Sequence, residues 1–359
     1  MCKFMKERVK RLAELLSENE AMLITSNQNR FYFTGFPSSA GMVVITHGEA
    51  RLFIDFRYYE KAKKSVDSCS VVMATRAFKQ VADFLVLRKI DTLYTESGNI
   101  SVDELKNLKS AMPKVTVSDD DRFYKGILSM RSVKSEAEIQ NIKKAQSFTD
   151  ETFSYILSRI KAGRTEKDIM LDMEFYMRRL GSEGIAFDFI VASGENTSLP
   201  HAVPTDRVVQ NGDFVTMDFG AVFNGYRSDM TRTVAVGNLS EVQKEVYATV
   251  LNAQRAAFDA IKIGAKCCDV DKAARNVIAE AGYGKCFGHA LGHSVGIDIH
   301  EGPNFSPSCR ETVKAGYVIT VEPGIYIENK FGVRIEDMAV ITPNGCVDIT
   351  ASEHKLIVL

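Results

Sequence analysis

Leu12, Leu15 and Leu16 form an apolar stripe in a charged opening segment, the spacing of an amphipathic helix. Short apolar runs at 21–25, 42–45 and 51–55 predict strands. The last two are joined by Thr46-His47-Gly48-Glu49 and predict a hairpin with His47 exposed in its turn. After the polar stretch Asp119-Asp120-Asp121 a new helical pattern begins. This places a domain boundary near 125–130 and predicts domains of residues 1–127 and 128–359. In the second domain, Ser135 with Glu138 and Ser240 with Gln243 have capping-box spacing, each opening a long amphipathic helix. Val242, Val246, Val250, Ala253, Ala257 and Ile261 recur at helical intervals and should face a core. Met170, Met173 and Met177 read as core for the same reason.

The second domain also repeats itself. Ile160-Lys161-Ala162-Gly163 is echoed 101 residues later by Ile261-Lys262-Ile263-Gly264, and Asp168-Ile169 by Asp269-Val270. The helix-ending Gly181 is echoed by Gly282 at the same offset. Each half continues into strand pattern: 214–220 resembles 318–324, and 227–231 resembles 334–338. Each copy carries two acids, Asp218 and Asp229 in one, Glu322 and Glu336 in the other. The fold class is therefore α+β, a small α/β domain followed by a pseudo-twofold domain with a site at the junction of its halves.

Phe223-Asn224-Gly225-Tyr226 is a two-residue hairpin signal, because a type I′ turn needs positive φ at both central positions. With that turn, Asp218 faces Thr231 and Asp229 faces Gly220, so the two acids lie diagonally on one face of the ribbon. Val215, Met217 and Phe219 make the strand too apolar for a solvated surface. Buried carboxylates so placed repel unless a cation holds them. Glu322, after Val318, Ile319 and Val321, and Glu336, after Val333 and Ile335, repeat the arrangement, with the loop near Asn329 of open length. Four of the six histidines are His201, His289, His293 and His300. The run Gly288-His289-Ala290-Leu291-Gly292-His293, with Gly296 following, suits backbone passing close to a crowded site. One imidazole with four carboxylates is a hard, oxygen-rich ligand set that suits manganese, cobalt or zinc. Taken singly, the acids could instead pair with Arg227 or Arg334, and the glycine–histidine run could be structural. The combination of duplicated acids with histidines between them favours the metal site.

Formal net charge is −1, with 45 Lys and Arg against 46 Asp and Glu, which gives no bulk attraction for nucleic acid or an anionic membrane. No apolar run is long enough to span a bilayer, and the charged opening does not read as a secretory signal. The seven cysteines, Cys2, Cys69, Cys267, Cys268, Cys286, Cys309 and Cys346, are scattered and odd in number, which predicts free thiols in a cytoplasmic protein. His354, near the end of the chain, is expected to be exposed.

On these residues the chain resembles the Xaa-Pro aminopeptidase and prolidase branch of the pita-bread metallopeptidases. Asn29-Arg30-Phe31-Tyr32-Phe33-Thr34-Gly35-Phe36 and Asp55-Phe56-Arg57-Tyr58 resemble the creatinase-type first domain of that branch. The resemblance implies two divalent metals, with Asp218 on one, His293 and Glu322 on the other, and Asp229 and Glu336 bridging. It implies that His289 lies beside the metal pocket, that His201 and His300 face substrate, and that Arg334 sits near the site. The reaction it implies is hydrolysis of the bond between an amino-terminal residue and proline, with Glu322 relaying a proton to the leaving nitrogen. A homodimer is also implied. Methionine aminopeptidase shares the ligand set but lacks the additional first domain. A metal-free relative, creatinase-like or a binding module, is disfavoured by five intact ligand positions. In one respect the chain departs from the pattern. Strict dipeptidases of this branch often carry an arginine in a Ser-Pro-Arg context that can hold the dipeptide's carboxylate. Here Ser306-Pro307 is followed by Ser308, and Arg310 stands two residues later. A serine cannot replace a guanidinium fork, which favours Xaa-Pro peptides of three or more residues, unless Arg310 reaches the same place.

Overall fold

The computed structural model describes residues 2–359, with Cys2 and Lys3 in their backbone only, so the expectation for the Cys2 thiol lies outside the described residues. The chain forms two compact units, Met1–Arg131 and Ser132–Leu359.

The first unit is built on a six-stranded mixed sheet of order β4-β3-β2-β1-β5-β6. Its strands are β1 (Glu20–Ile24), β2 (Met42–Thr46), β3 (Ala50–Ile54), β4 (Ser70–Met73), β5 (Thr92–Tyr94) and β6 (Thr116–Ser118). Its helices are α1 (Cys2–Ala13), α2 (Asn27–Thr34), α3 (Phe56–Ser65), α4 (Ala77–Leu87), α5 (Val102–Ala111) and α6 (Arg122–Ser132). Strands β2 and β3 form the predicted hairpin, with Ile45 opposite Ala50 and His47 exposed in the turn. Leu12 and Leu16 are buried as the stripe predicts, but Leu15 is exposed. Helix α1 ends at Ala13, so helical spacing no longer fixes where Leu15 points. Helix α2, which carries the Asn29–Phe33 motif, is held by a buried carboxylate. Glu96 accepts from the Ser26 N–H (2.7 Å), the Ser26 hydroxyl (2.6 Å) and the Asn29 amide (2.6 Å), while Gly35 ends the helix at φ +66°.

In the second unit the repeat becomes a pseudo-twofold. Helices α7 (Glu136–Leu157) and α8 (Glu166–Arg179) answer to α9 (Glu241–Ala260) and α10 (Cys267–Glu280). Gly181 (φ +105°) and Gly282 (φ +88°) follow α8 and α10 in the left-handed region that glycine adopts without a steric cost. Both predicted capping boxes form: Glu138 accepts from Ser135 N–H at 2.8 Å, and Gln243 from Ser240 N–H at 2.9 Å. The strands are β7 (Ile190–Ser193), β8 (Asp213–Phe219), β9 (Val222–Phe223), β10 (Tyr226–Arg227) and β11 (Met230–Val236) in the first half. The second half has β12 (Gly292–Ser294), β13 (Glu301–Phe305), β14 (Val318–Val321), β15 (Gly324–Ile327), β16 (Phe331–Arg334), β17 (Asp337–Thr342) and β18 (Gly345–Asp348). The order β11-β8-β7 is repeated as β17-β14-β12 inside the five-stranded sheet. One core packs Met173, Met177, Val215, Met217 and Phe219, the other Val246, Val250, Ala253, Ala257, Ile261, Ile319 and Val321. Met170 packs partly buried against the first of these. Val242, expected in the second, is 51% exposed, because it lies in the first turn of α9, ahead of the stretch that reaches the sheet.

The predicted register holds on the first hairpin. Asn224 (φ +47°) and Gly225 (φ +75°) form the turn, Phe223 faces Tyr226, and Asp218 faces Thr231. In the second half Val321 faces Asp337 and Gly324 faces Arg334, so Glu322 and Glu336 stand opposite each other in one continuous register. Loop 328–330, with Asn329 at φ +55°, supplies the length that the sequence leaves open.

Two expectations outside the site resolve differently. Cys69, Cys267, Cys268, Cys286, Cys309 and Cys346 are free thiols, as the scatter implies. His354 is not fully exposed. Its Nε2 lies 2.8 Å from Asp337 and 3.5 Å from Asp348, and the hydrogen bond to Asp337 raises its pKa to about 9. The partner is remote in sequence, so local pattern gives no sign of it. Among the described residues no helix is long and apolar enough to cross a membrane.

Gly220 marks where the first hairpin pinches: a Cβ there would lie 1.9 Å from the Ser228 carbonyl oxygen. A backbone atom cannot swing aside as a side chain can. Gly220→Ala should therefore destabilise the protein by about 1–3 kcal/mol or more, read as a lower unfolding temperature. An unshifted transition would show that the strands separate freely.

Candidate metal centre

Strand parity aims the acids at one cavity. On β8, Asp218 projects opposite to Met217 and Phe219, whose side chains fill the core. Asp229 precedes β11, and Glu322 and Glu336 sit at the breaks between β14 and β15 and between β16 and β17. All four carboxylates line a cavity of about 690 Å³ together with His201, His289, His293, His300, Tyr326 and Arg334. Every site residue proposed from the sequence therefore lies on the wall of one cavity.

Asp229, His293 and Glu336 each present a ligand atom within 4.8 Å of the others. His293 Nε2 is 3.5 Å from Asp229 and 3.4 Å from Glu322, longer than good hydrogen bonds. Its Nδ1 faces the Ser294 carbonyl at 3.2 Å, which assigns the proton to Nδ1 and leaves the Nε2 lone pair facing carboxylates. Burial, with His300 beside it, pushes the His293 pKa down to about 4, so the ring is neutral as a ligand must be. The Thr231 hydroxyl donates to Glu336 at 2.7 Å and the Thr320 hydroxyl to Glu322 at 3.1 Å, fixing both glutamates. The His300 ring stands edge-on to His293, with centroids 4.3 Å apart. His201 is exposed on the cavity wall.

Arg334 is buried among these groups. It donates to Asp218 Oδ2 at 2.7 Å, to Thr231 Oγ1 at 2.9 Å and to the Tyr326 hydroxyl at 2.8 Å. Asp218 is thus paired as the salt-bridge alternative allowed, with Arg334 rather than Arg227 as its partner. The pairing leaves Asp218 Oδ1 buried without a hydrogen-bond partner. One guanidinium also cannot neutralise four carboxylates. Burial pushes Asp229 and Glu336 well above the ordinary carboxylate range, aided by the neighbouring acids, and takes Glu322 to about 8. An orphaned buried oxygen, a lone pair aimed at acids and a surplus of negative charge all fit divalent cations held between these side chains.

His289 is engaged differently from His293. Its Nδ1 faces the Ala290 carbonyl at 2.8 Å and its Nε2 the Tyr326 hydroxyl at 3.0 Å, so both nitrogens are taken. Of the glycines near these histidines, two are crowded, since a Cβ would fall 2.0 Å from the Thr320 carbonyl oxygen at Gly292 and 2.7 Å from the Glu301 carboxylate at Gly296, while Gly288 faces open space. Sequence reasoning missed Tyr326, Thr320 and the role of Thr231. Tyr326 shares the parity of Glu322, four residues along, and that parity is the signal that could have found it.

An α+β chain whose duplicated halves converge four carboxylates and an imidazole on one cavity has the donor set of a metal-dependent hydrolase. Comparison with known proteins narrows this. The pattern of metallopeptidase family M24 matches residues 140–343, and that of the Creatinase/Prolidase N-terminal domain matches residues 8–132. The Xaa-Pro dipeptidase of Pyrococcus horikoshii is 38% identical over 357 residues, covering 98% of this chain and 99% of the relative. Among solved structures, the Xaa-Pro dipeptidase from Bacillus anthracis superposes with a TM-score of 0.94 at 36% identity, covering 99% of this chain and 100% of that one. The X-Pro aminopeptidase from Thermotoga maritima does so with 0.89 at 36% identity, covering 97% and 100%. The chain belongs to metallopeptidase family M24, with a creatinase-type first domain and a pita-bread catalytic domain.

The raised carboxyl pKa values set a pH dependence for the metal-free protein. Glu322 binds its proton more tightly folded (about 8) than unfolded (4.5), so the stability it contributes is present below pH 4.5 and lost as pH rises towards 8. Asp229 and Glu336 act in the same direction. Chelator-treated protein should melt at a lower temperature at pH 8 than at pH 6. Added Mn²⁺ should stabilise it more at pH 8, because cations compete with those protons. Melting temperatures with the opposite pH trend would refute the buried, uncompensated cluster.

Proposed function

We propose that this chain is a dinuclear metal-dependent exopeptidase that cleaves between an amino-terminal residue and proline. The observation that carries the proposal is the set of four buried carboxylates around a neutral histidine with one arginine among them. In this reading Asp218, Asp229, His293, Glu322 and Glu336 would hold the metals. Held there, divalent cations would lower the pKa of an attacking water and polarise the scissile carbonyl. The protein's own groups do the rest. Glu322, on the cavity wall, can take a proton from the water and return it to the proline nitrogen, which has no hydrogen in the amide and must gain one to leave. His201 and His300, on the cavity wall, can donate to the developing oxyanion. His289, held between Ala290 and Tyr326, supports the Arg334 fork through the tyrosine hydroxyl. The oxygen-rich set favours manganese, with cobalt or zinc able to replace it. The proposal includes a cytoplasmic homodimer, in keeping with the free thiols, near-zero net charge and the branch that the sequence resembles.

For substrate length, the Ser308 departure keeps its weight. Arg310 is exposed and donates to the Pro307 carbonyl at 2.9 Å, and neither Ser308 nor Arg310 lines the cavity. Arg334, the one lysine or arginine on the described wall, is engaged with Asp218, so no spare guanidinium awaits a dipeptide's carboxylate there. This favours Xaa-Pro peptides of three or more residues. The second reading, a strict Xaa-Pro dipeptidase, is favoured by the names of two of the relatives reported above.

Asp229→Ala should leave less than a full metal complement by elemental analysis. His201→Ala should keep the metal and lose turnover on the order of 10²–10³-fold, the usual effect of one preorganised donor. Wild-type metal and turnover in Asp229→Ala would sink the ligand assignment, as would loss of metal in His201→Ala for that histidine's role. Substrate length is read from kcat/KM for a Xaa-Pro dipeptide against the same sequence extended by two residues. The extended peptide should be the better substrate. A strong dipeptide preference abolished by Arg310→Ala would establish the dipeptidase reading instead.

A further inference from the structure

Behind the carboxylates, on the opposite face of β11 from Thr231, lies Arg232, a side chain 1% exposed. All five of its N–H donors are used. Nε donates to the Glu353 carbonyl (2.9 Å), and Nη1 to the carbonyls of Thr231 (3.0 Å) and Glu336 (2.7 Å). Nη2 donates to Asp337 Oδ1 (2.6 Å) and the Ser352 carbonyl (2.8 Å). Asp337, wholly buried, gives its other oxygen to the Gln254 amide (2.6 Å) and to His354 (2.8 Å). One guanidinium thus ties together a strand of the first half, the Glu336–Asp337 corner of the second half and segment 352–354.

That corner is where the two halves meet. The Glu336 N–H donates to the Thr231 carbonyl at 3.1 Å, and the Thr231 hydroxyl holds the Glu336 carboxylate at 2.7 Å. Glu336 is therefore gripped through its side chain from the cavity and through its backbone carbonyl from Arg232. Segment 351–359 is docked independently along its length. Ser352 donates to Asp150 through its amide (3.0 Å) and hydroxyl (2.6 Å), the Tyr247 hydroxyl donates to the His354 carbonyl (3.0 Å), and Ala235 pairs with Val358. Asp337, Asp348 and His354 could be read as a second cation site. Asp337 already has Arg232, Gln254 and His354 as partners, which makes the group an ion-pair network.

We propose that Arg232 is a positioning residue for the metal centre, coupling the docking of segment 352–354 to the placement of Glu336. This rests on the assignment of Glu336 and Asp229 as metal ligands. A planar five-donor fork is what the role requires. Lysine would keep the charge beside Asp337 but offer three donors, leaving at least two of the four carbonyls unbonded. By thermodynamic reciprocity, if the docked segment favours metal binding, metal binding favours the docked segment.

The test uses the full-length protein and Mn²⁺ alone. By calorimetric titration, Arg232→Lys should bind Mn²⁺ at its weaker site about 10–100-fold less tightly, the usual effect of removing a group that orients a ligand. With an Xaa-Pro tripeptide, kcat should fall in step while KM stays nearly unchanged. In the unaltered protein, Mn²⁺ should slow amide exchange at Ala351 and Ser352, a readout that does not depend on the variant folding. Parent-like Mn²⁺ affinity in a destabilised Arg232→Lys, or tail amides indifferent to Mn²⁺ while it binds, would reduce Arg232 to a core staple and overturn the proposal. Glu336→Gln separates the two readings: parent-like binding of both Mn²⁺ ions in that variant would remove the ligand assignment itself.

Discussion

The rest of the catalytic unit is arranged around a surplus of buried negative charge. Asp218, Asp229, Glu322 and Glu336 face one cavity with Arg334 as their lysine or arginine partner, and His293 turns a lone pair towards them. Such a cluster is unfavourable by itself, and the raised carboxyl pKa values express that cost. The framework must hold the acids together against their repulsion until cations compensate it. Rigid antiparallel hairpins do this better than loops, because register fixes each side chain's face and spacing.

The duplication supplies the means. Each half contributes a pair of helices over a strand triplet of the same order, and each brings two acids to the same face. The halves are not superposable in detail. Glu322 stands opposite Glu336, whereas Asp218 stands opposite Thr231 with Asp229 on the diagonal. The first half thereby frees a hydroxyl, Thr231 Oγ1, to hold Glu336 and accept from Arg334. Gln254 of α9 reinforces the second half, donating to Asp337 and to the Val321 and Ile335 carbonyls. The outcome is a site whose geometry is set by backbone contacts at its rear as much as by the side chains at its front.

Much of this was legible in the sequence, for reasons that are local. Period-two alternation placed Asp218 opposite in sense to Met217 and Phe219, and Asn224-Gly225 fixed the register because few other residues accept positive φ at both turn positions. The repeat of Gly163 and Gly181 by Gly264 and Gly282 exposed the pseudo-twofold, since glycine is retained where the backbone is left-handed. The capping boxes of α7 and α9 were equally readable, because a box is complete within four residues. Where local pattern was the wrong guide, the reason was not periodicity: α1 ends before Leu15, the first turn of α9 with Val242 precedes its contact with the sheet, and His354 meets Asp337 on β17.

What the chain determined by itself was therefore which residues share a face, and hence that four acids and the histidines near them form one set. Tertiary structure decided the pairing within that set. Arg334 chose Asp218 over the other carboxylates, Tyr326 came between His289 and Arg334, and Arg232 met Asp337 and the backbone of Ser352 and Glu353. These contacts join residues up to 121 positions apart. Strand and helix periodicity give a side chain's direction along its own element, but a contact between elements depends on where two backbones cross, and that is fixed only when the whole core packs.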